Sequence, residues 1–358
     1  MRLVNQECMK SPLTDPNLEK GKWKWFPFHN NSRPGQVPVL SLSVEMAPFV
    51  FVKVRVASTG CSVFCSFLLG SNLAKAEDRK PIVVAFDGVL CDLVRTVASK
   101  SVDVFCVIPP SGDPHFYRLK PKDLQAIAKA DIVFHNGFYL TPAALRLSTK
   151  APVIAVAEKA MPKYKGKDPH VWHDPNNVSE MATTIEQRLK KVLPQSEVTA
   201  LNSRTAKTKS VLKELSNWTS SQLRSIPTEN RVLVTQHRAF SHLTKRFKLR
   251  ELPVVDFFAT GGNLRPSSLA RIKSEIQNSA TRVLFTESLP VNKTLRRISR
   301  ASGIPVFNSP LYPDGLAPGG LTTIETATSN ICVIAKGQGS SCDQSSADQI
   351  AARWRSIR

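Results

Sequence analysis

Short apolar, β-branched runs recur from residue 82 onward, each bounded by turn residues or charges, and this pattern predicts strands. A first set is predicted over Ile82 to Phe86, Val102 to Ile108, Ile132 to Phe134 and Val153 to Val156. A second covers Val232 to Thr235, Val254 to Phe258, Val283 to Thr286 and Val306 to Phe307. Between them lie stretches with helical patterning, among them Asp92 to Ala98, Leu124 to Ala130, Leu269 to Gln277 and Lys293 to Ala301. Strands that alternate with helices predict parallel sheets covered on both faces. The expected fold class is therefore α/β: two lobes, each a four-stranded, mainly parallel sheet flanked by helices.

The region between the two sets reads as helix. One segment runs from Glu180 to Leu193 and is ended by Pro194. A second runs from about Glu197 to Ile226, before Pro227, with Val211, Leu215 and Trp218 at i, i+4 and i+7. A helix of ~30 residues is ~45 Å long, enough to run along both lobes as a rigid connector. Two helices broken near Ala206 are the alternative. The expected organisation is an N-terminal lobe over 77–195, a linking helix over 196–227, a C-terminal lobe over 228–338 and a tail over 339–358.

The first 76 residues follow another pattern. Lys53 and Arg55 precede an apolar, small-residue run from Val56 to Leu69, then Ala74-Lys75-Ala76 and the polar Glu77-Asp78-Arg79-Lys80. This order marks a secretory signal peptide over 46–76, cleaved after Ala76. A buried core helix is the alternative. Cys61 would accept a lipid anchor, although Ser58 stands where an aliphatic residue is needed. Residues 1–45 are rich in Pro and Asn without helical or strand period; they are expected to be disordered or spurious, with Met46 the alternative start.

Composition narrows the function classes. Hydrophobic residues make up 42% and charged residues 22% of the chain, as in ordinary globular proteins. No apolar stretch approaches the ~20 residues of a spanning helix. The net charge is +21; residues 1–76 carry nine Lys/Arg and four Asp/Glu, which leaves +16 on the rest. The remaining charges are scattered over helices, with no basic run interleaved with stacking aromatics, so a solvated basic surface is expected and no nucleic-acid partner. Cys91, Cys106, Cys332 and Cys342 lie beyond residue 76. That even number permits disulfides in an oxidising compartment, in a pairing that stays open. The absence of a CxxC pair there removes support for a thiolate zinc site.

Open α/β sheets bind ligands at the carboxyl ends of their strands. After the second strand comes Asp113-Pro114-His115-Phe116-Tyr117, and after the fourth Asp168-Pro169-His170-Val171-Trp172-His173-Asp174-Pro175. The fifth runs into Gln236-His237-Arg238-Ala239-Phe240, and Leu311-Tyr312-Pro313-Asp314-Gly315 follows the eighth. His115, His170, His237 and Asp314 thus stand at equivalent strand ends, two in each lobe. Neutral imidazoles with one carboxylate suit a borderline divalent cation, and four protein ligands close a tetrahedral shell. His173 and Glu287 are candidates for outer positions around such a site; His135, at the end of the third strand, is structural or outer-shell.

These motifs, in this order, resemble the zinc- and manganese-specific solute-binding proteins of bacterial ABC transporters. The likeness also rests on Pro109-Pro110-Ser111-Gly112 ahead of the first triplet and on Lys129-Ala130-Asp131-Ile132-Val133 with Asn136-Gly137, and it extends over residues 80 to 338. It implies two lobes joined by a long helix and one metal buried between them, held by His115, His170, His237 and Asp314. It implies a monomeric, extracytoplasmic (or periplasmic) protein that delivers its cargo to a membrane permease. His237 at the third position is more typical of zinc carriers than of manganese carriers. Zinc is the expected cargo and manganese the alternative. The His- and acid-rich loop of many zinc carriers is missing, since Glu158 to Lys167 is short and basic. Arg238 stands where an acidic residue is usual, and Gly262 to Ser267 keeps only the Pro-Ser of a common family pattern. An exported metallohydrolase using Glu287 or His173 as base is a rival, but no nucleophile or HExxH motif supports an enzyme.

Overall fold

A computed structural model describes residues 79–110, 112–255 and 266–358. The N-terminal extension, the signal peptide, its Ala76 site and residues 262–265 lie outside the described residues. In the first lobe β1 (Ile82–Ala85), α1 (Gly88–Ala98), β2 (Asp103–Cys106), α2 (Pro121–Lys129), β3 (Ile132–His135), β4 (Val153–Ala155) and α3 (Val156–Ala160) follow one another. Its strands form one parallel sheet in the order β2-β1-β3-β4. Alternate residues of β1 serve the two faces: Val83 and Ala85 join the inner core, Val84 and Phe86 an outer one with Val107, Ile108 and Ile127. Both faces are covered, as continuous apolar strands require.

Capping chemistry sets the helix starts. Asp87 accepts Leu90 N–H at 2.9 Å to open α1, and Asp174 with Pro175 opens α4 (Pro175–Leu189). The connector α5 (Gln195–Arg224) is one unbroken helix of 30 residues, ~45 Å long. Its buried stripe includes Leu201, Leu212, Leu215, Trp218 and Leu223. It packs on α1 and α4 of the first lobe.

The second lobe comprises β5 (Val232–His237), α6 (Ser241–Phe247), β6 (Arg250–Val255), α7 (Pro266–Gln277), β7 (Leu284–Phe285), α8 (Lys293–Ser302), β8 (Val306–Phe307), α9 (Thr323–Gly337) and α10 (Gln344–Arg355). Helices α9 and α10 pack on the far half of α5. The core around α5 draws residues from both lobes without a break, from Val83 and Leu90 to Ile334 and Trp354.

Three features differ from the expected pattern. The second set of strands forms two parallel pairs, β5-β6 and β7-β8, instead of one four-stranded sheet. β5 and β7 lie side by side, but side chains take up backbone groups at both ends of the seam. Gln338 Nε2 donates to Val232 O and to Thr281 Oγ1, while Glu287 Oε1 accepts Gln236 N and His237 N at 2.9 and 3.2 Å. Second, β6 begins at Arg250, ahead of the expected Val254. It contains Pro253, which is tolerated because β6 pairs on one side alone among the described residues. Third, residues 339–358 include helix α10, whose Trp354 is fully buried. Cys332 and Cys342 form a disulfide ahead of it, and Cys91 pairs with Cys106 between α1 and β2.

Candidate metal centre

Two Asp-Pro-His triplets are folded alike. Asp113 Oδ1 accepts His115 N–H at 2.8 Å, and Asp168 Oδ1 accepts His170 N–H at 2.9 Å. A carboxylate that bonds the backbone two residues on closes a local turn. Each turn therefore aims its histidine from a short loop with little freedom. His237 is the last residue of β5 and is buried. Asp314 follows β8 on a loop that Asn330 holds from α9: its side chain accepts Tyr312 N and donates to Tyr312 O, both at 2.9 Å.

The four side chains converge. His115 Nε2 lies 3.2 Å from His170 Nε2, and Asp314 Oδ1 lies 3.1 Å from each of these nitrogens. His237 Nε2 is 3.3 Å from the same oxygen. The four donor atoms all fall within 4.8 Å of one another. In a tetrahedral zinc shell with bonds of ~2.0–2.1 Å, ligand atoms are about 3.3 Å apart by simple geometry. The donor set thus fits one small cation. His237 Nε2 is also buried without a hydrogen-bond partner, a polar atom whose burial a bound cation would explain.

Outside this ring, carboxylates orient the imidazoles. Asp168 Oδ1 accepts from His170 Nδ1 at 2.8 Å, and Glu287 Oε2 pairs with His237 Nδ1 at 2.7 Å. Each leaves Nε2 facing inward, the arrangement by which a carboxylate on one ring nitrogen fixes a histidine's tautomer. Glu287 was expected in such an outer place. Asp168 was not singled out, although its position two residues before a candidate ligand signals the turn that brings it there.

His170, His237 and Asp314 are each shifted by the charges packed around them. Burial alone would lower the His237 pKa, but the Glu287 and Asp314 carboxylates outweigh it and raise it to about 11. His170 is likewise raised against burial, by Asp168 and Asp314. Burial would raise Asp314, yet the three imidazoles hold it well below the usual carboxylate range.

His173 does not join the donors. Its Nε2 donates to Pro313 O at 2.9 Å, and its ring packs 4.4 Å from that of Phe240. Burial pushes its pKa down to about 3, against the bond to Pro313 O, which favours the charged ring. It is a strut between the lobes, from the loop ahead of α4 to the Asp314 loop. His135 is buried at the end of β3 and is not among the converging donors; burial lowers its pKa against the opposing charge of Glu158.

The family model described as zinc-uptake complex component A, periplasmic, matches residues 82–337. The chain belongs to this family. Among its relatives, the manganese-binding lipoprotein MntA of Bacillus subtilis is 27% identical over 255 residues, 68% of this chain and 80% of that protein. The iron ABC transporter substrate-binding lipoprotein MtsA of Streptococcus pyogenes serotype M1 is 24% identical over 293 residues, covering 76% and 88%. The solved periplasmic zinc-binding protein TroA of Treponema pallidum superposes with a TM-score of 0.67 at 24% identity, over 72% of this chain and 99% of TroA. This chain is thus a substrate-binding component of an ABC metal transporter with the two-lobed fold, while the metals named for the relatives differ.

Proposed function

We propose that this chain captures zinc outside the cytoplasm and hands it to the membrane permease of an ABC importer. The observation that carries this reading is the set of four converging donors, three imidazole Nε2 atoms and one carboxylate oxygen, all within 4.8 Å of one another. His115 and His170 come from one lobe, His237 and Asp314 from the other. Four protein donors leave no coordination position for a reacting water, which favours carriage over catalysis.

Zinc is favoured over manganese for two reasons. Imidazole nitrogen suits zinc, whereas manganese prefers oxygen donors. The protein also offers four donors within 4.8 Å of one another, the number that closes a tetrahedral shell, and Asp168 and Glu287 hold two of the rings against rearrangement. No helix among the described residues is long and apolar enough to cross a membrane, so a separate permease suits the role. The signal-peptide pattern at 46–76 supports export.

The test is competitive titration of metal-stripped protein with zinc and manganese. One equivalent of tight zinc, undisplaced by excess manganese, is the expected result. A preference for manganese would overturn the metal and keep the role; failure to bind either would remove the four-ligand site.

A further inference from the structure

Apart from the metal centre, a second cleft of about 790 Å³ lies between the lobes. Ala160, Met161, Pro162 and Tyr164 after α3 wall it on one side, and His242, Lys245 and Arg246 of α6 on the other. Its floor is aromatic: the Tyr164 ring packs 5.2 Å from Phe138 and 5.0 Å from His242. Asn177 on α4 meets His242 Nδ1 at 3.3 Å, tying the floor to both lobes. The size falls in the ~300–1,000 Å³ range of small-molecule sites, which favour domain boundaries and apolar walls with a few placed polar groups.

The polar groups here are cationic. Lys163, Lys245 and Arg246 line the cleft, and Lys163 and Lys245 make no ion pair among the described residues. The carboxylate in the lining, Asp174, already caps α4 by accepting Asn176 N–H at 2.9 Å and faces Arg246 at 3.8 Å. Lys159, Lys165 and Lys167 flank the same loop. The lining thus carries three cations against one committed carboxylate, with the Asp168 carboxylate, already bonded to His170, acting on Tyr164 and His242 from the metal-centre side.

We propose that this cleft binds a small organic anion, an apolar or aromatic body carrying a phosphate or carboxylate group. The body would lie on Tyr164, Met161 and Pro162, and the anionic group would reach Lys163, Lys245 and Arg246. Inorganic phosphate alone would leave most of the volume and the apolar wall unused. Neutral aromatics would leave the lysines unpaired.

The experiment is isothermal titration of the metal-free full chain, with chelator present, using phenyl phosphate, inorganic phosphate and phenol as probes. Phenyl phosphate is expected to bind at one equivalent, at least tenfold tighter than either of the other two. The double variant Lys163→Ala/Lys245→Ala should weaken it at least tenfold and leave zinc affinity unchanged, since neither lysine touches a metal donor. Equal binding of inorganic phosphate would reduce the site to a patch of surface charge and overturn the proposal. Equal binding of phenol would make it an apolar slot, with the same consequence. Phenyl phosphate binding that survives in the folded double variant would lie elsewhere on the basic surface, and absence of binding would leave the cleft without this role.

Discussion

At the scale of single residues, the metal centre divides into atoms that face the cavity and atoms that hold them. Glu287→Gln and Asp168→Asn keep all four inward donors but replace the carboxylate on a ring nitrogen. Each should weaken zinc binding by about 10–100-fold, as loss of such outer partners typically does. His237→Ala removes a donor outright and should lose more than either. Competition titrations against a chelator of known affinity would order the three, and full affinity in the His237 variant would dismantle the proposed shell. Asp87 gives a separate residue-scale prediction. Burial raises its pKa from 3.8 to about 6, against the hydrogen bond from Leu90, and its Oδ2 is buried without a partner. Because the folded-state value lies above the unfolded one, the carboxylate opposes folding at neutral pH. That penalty fades as pH falls from about 6 through 3.8. Asp87→Asn keeps the helix-capping oxygen and should add up to about 3 kcal/mol of stability at pH 7–8. Urea unfolding at pH 4 and pH 8 should show the gain at the higher pH and little at the lower.

Among the elements, α10 has a larger structural part than its place near residue 358 suggests. Trp354 Nε1 donates to Asp92 Oδ2 at 3.0 Å, and the same oxygen accepts Thr323 N at 2.9 Å. Asp92 also pairs with Arg358. A helix of the second lobe is therefore bonded to α1 of the first through one buried carboxylate. Trp354→Ala should cost about 3–5 kcal/mol by loss of a large buried side chain. Urea unfolding would measure it, and a change below 1 kcal/mol would mean that α10 is peripheral. The two lobes are also bridged by α5 and by the His173–Pro313 bond, and the shared core leaves no apolar boundary between them along that helix.

For the whole molecule, the acids around His170 and His237 favour protonated rings when no metal is bound. His237, raised to about 11, carries a proton at neutral pH, and the metal must displace it. Zinc binding at pH 7 should therefore release at least one proton, seen as a dependence of the titration heat on the buffer's ionisation enthalpy. Apparent affinity should fall as pH drops, by up to about tenfold per pH unit for each proton displaced. An affinity flat between pH 5 and 8 would contradict the imidazole shell. Bound zinc should also raise the unfolding temperature and chelator should reverse this, because ligand that binds only the folded chain stabilises it by mass action.

Much of this is local and therefore legible in the chain. Continuous apolar runs such as Ile82 to Phe86 and the two Asp-Pro-His turns depend on neighbours a few residues apart, so composition and spacing announce them; α4 begins at Pro175, ahead of the expected Glu180, because Asp174 caps it. The order of the motifs also named the four side chains that converge, since strand ends in an α/β sheet point to one edge. What stayed hidden depends on contacts between distant segments. The seam between β5 and β7 turns on Gln338 and Glu287, which are far from β5 in sequence. The Asp92–Trp354 bond, the roles of Asp168 and His173, and the pairing of the four cysteines likewise need the folded distances. A residue's type and its neighbours set its backbone and its chemistry. Its partner is set by packing, which brings together positions that no local pattern connects.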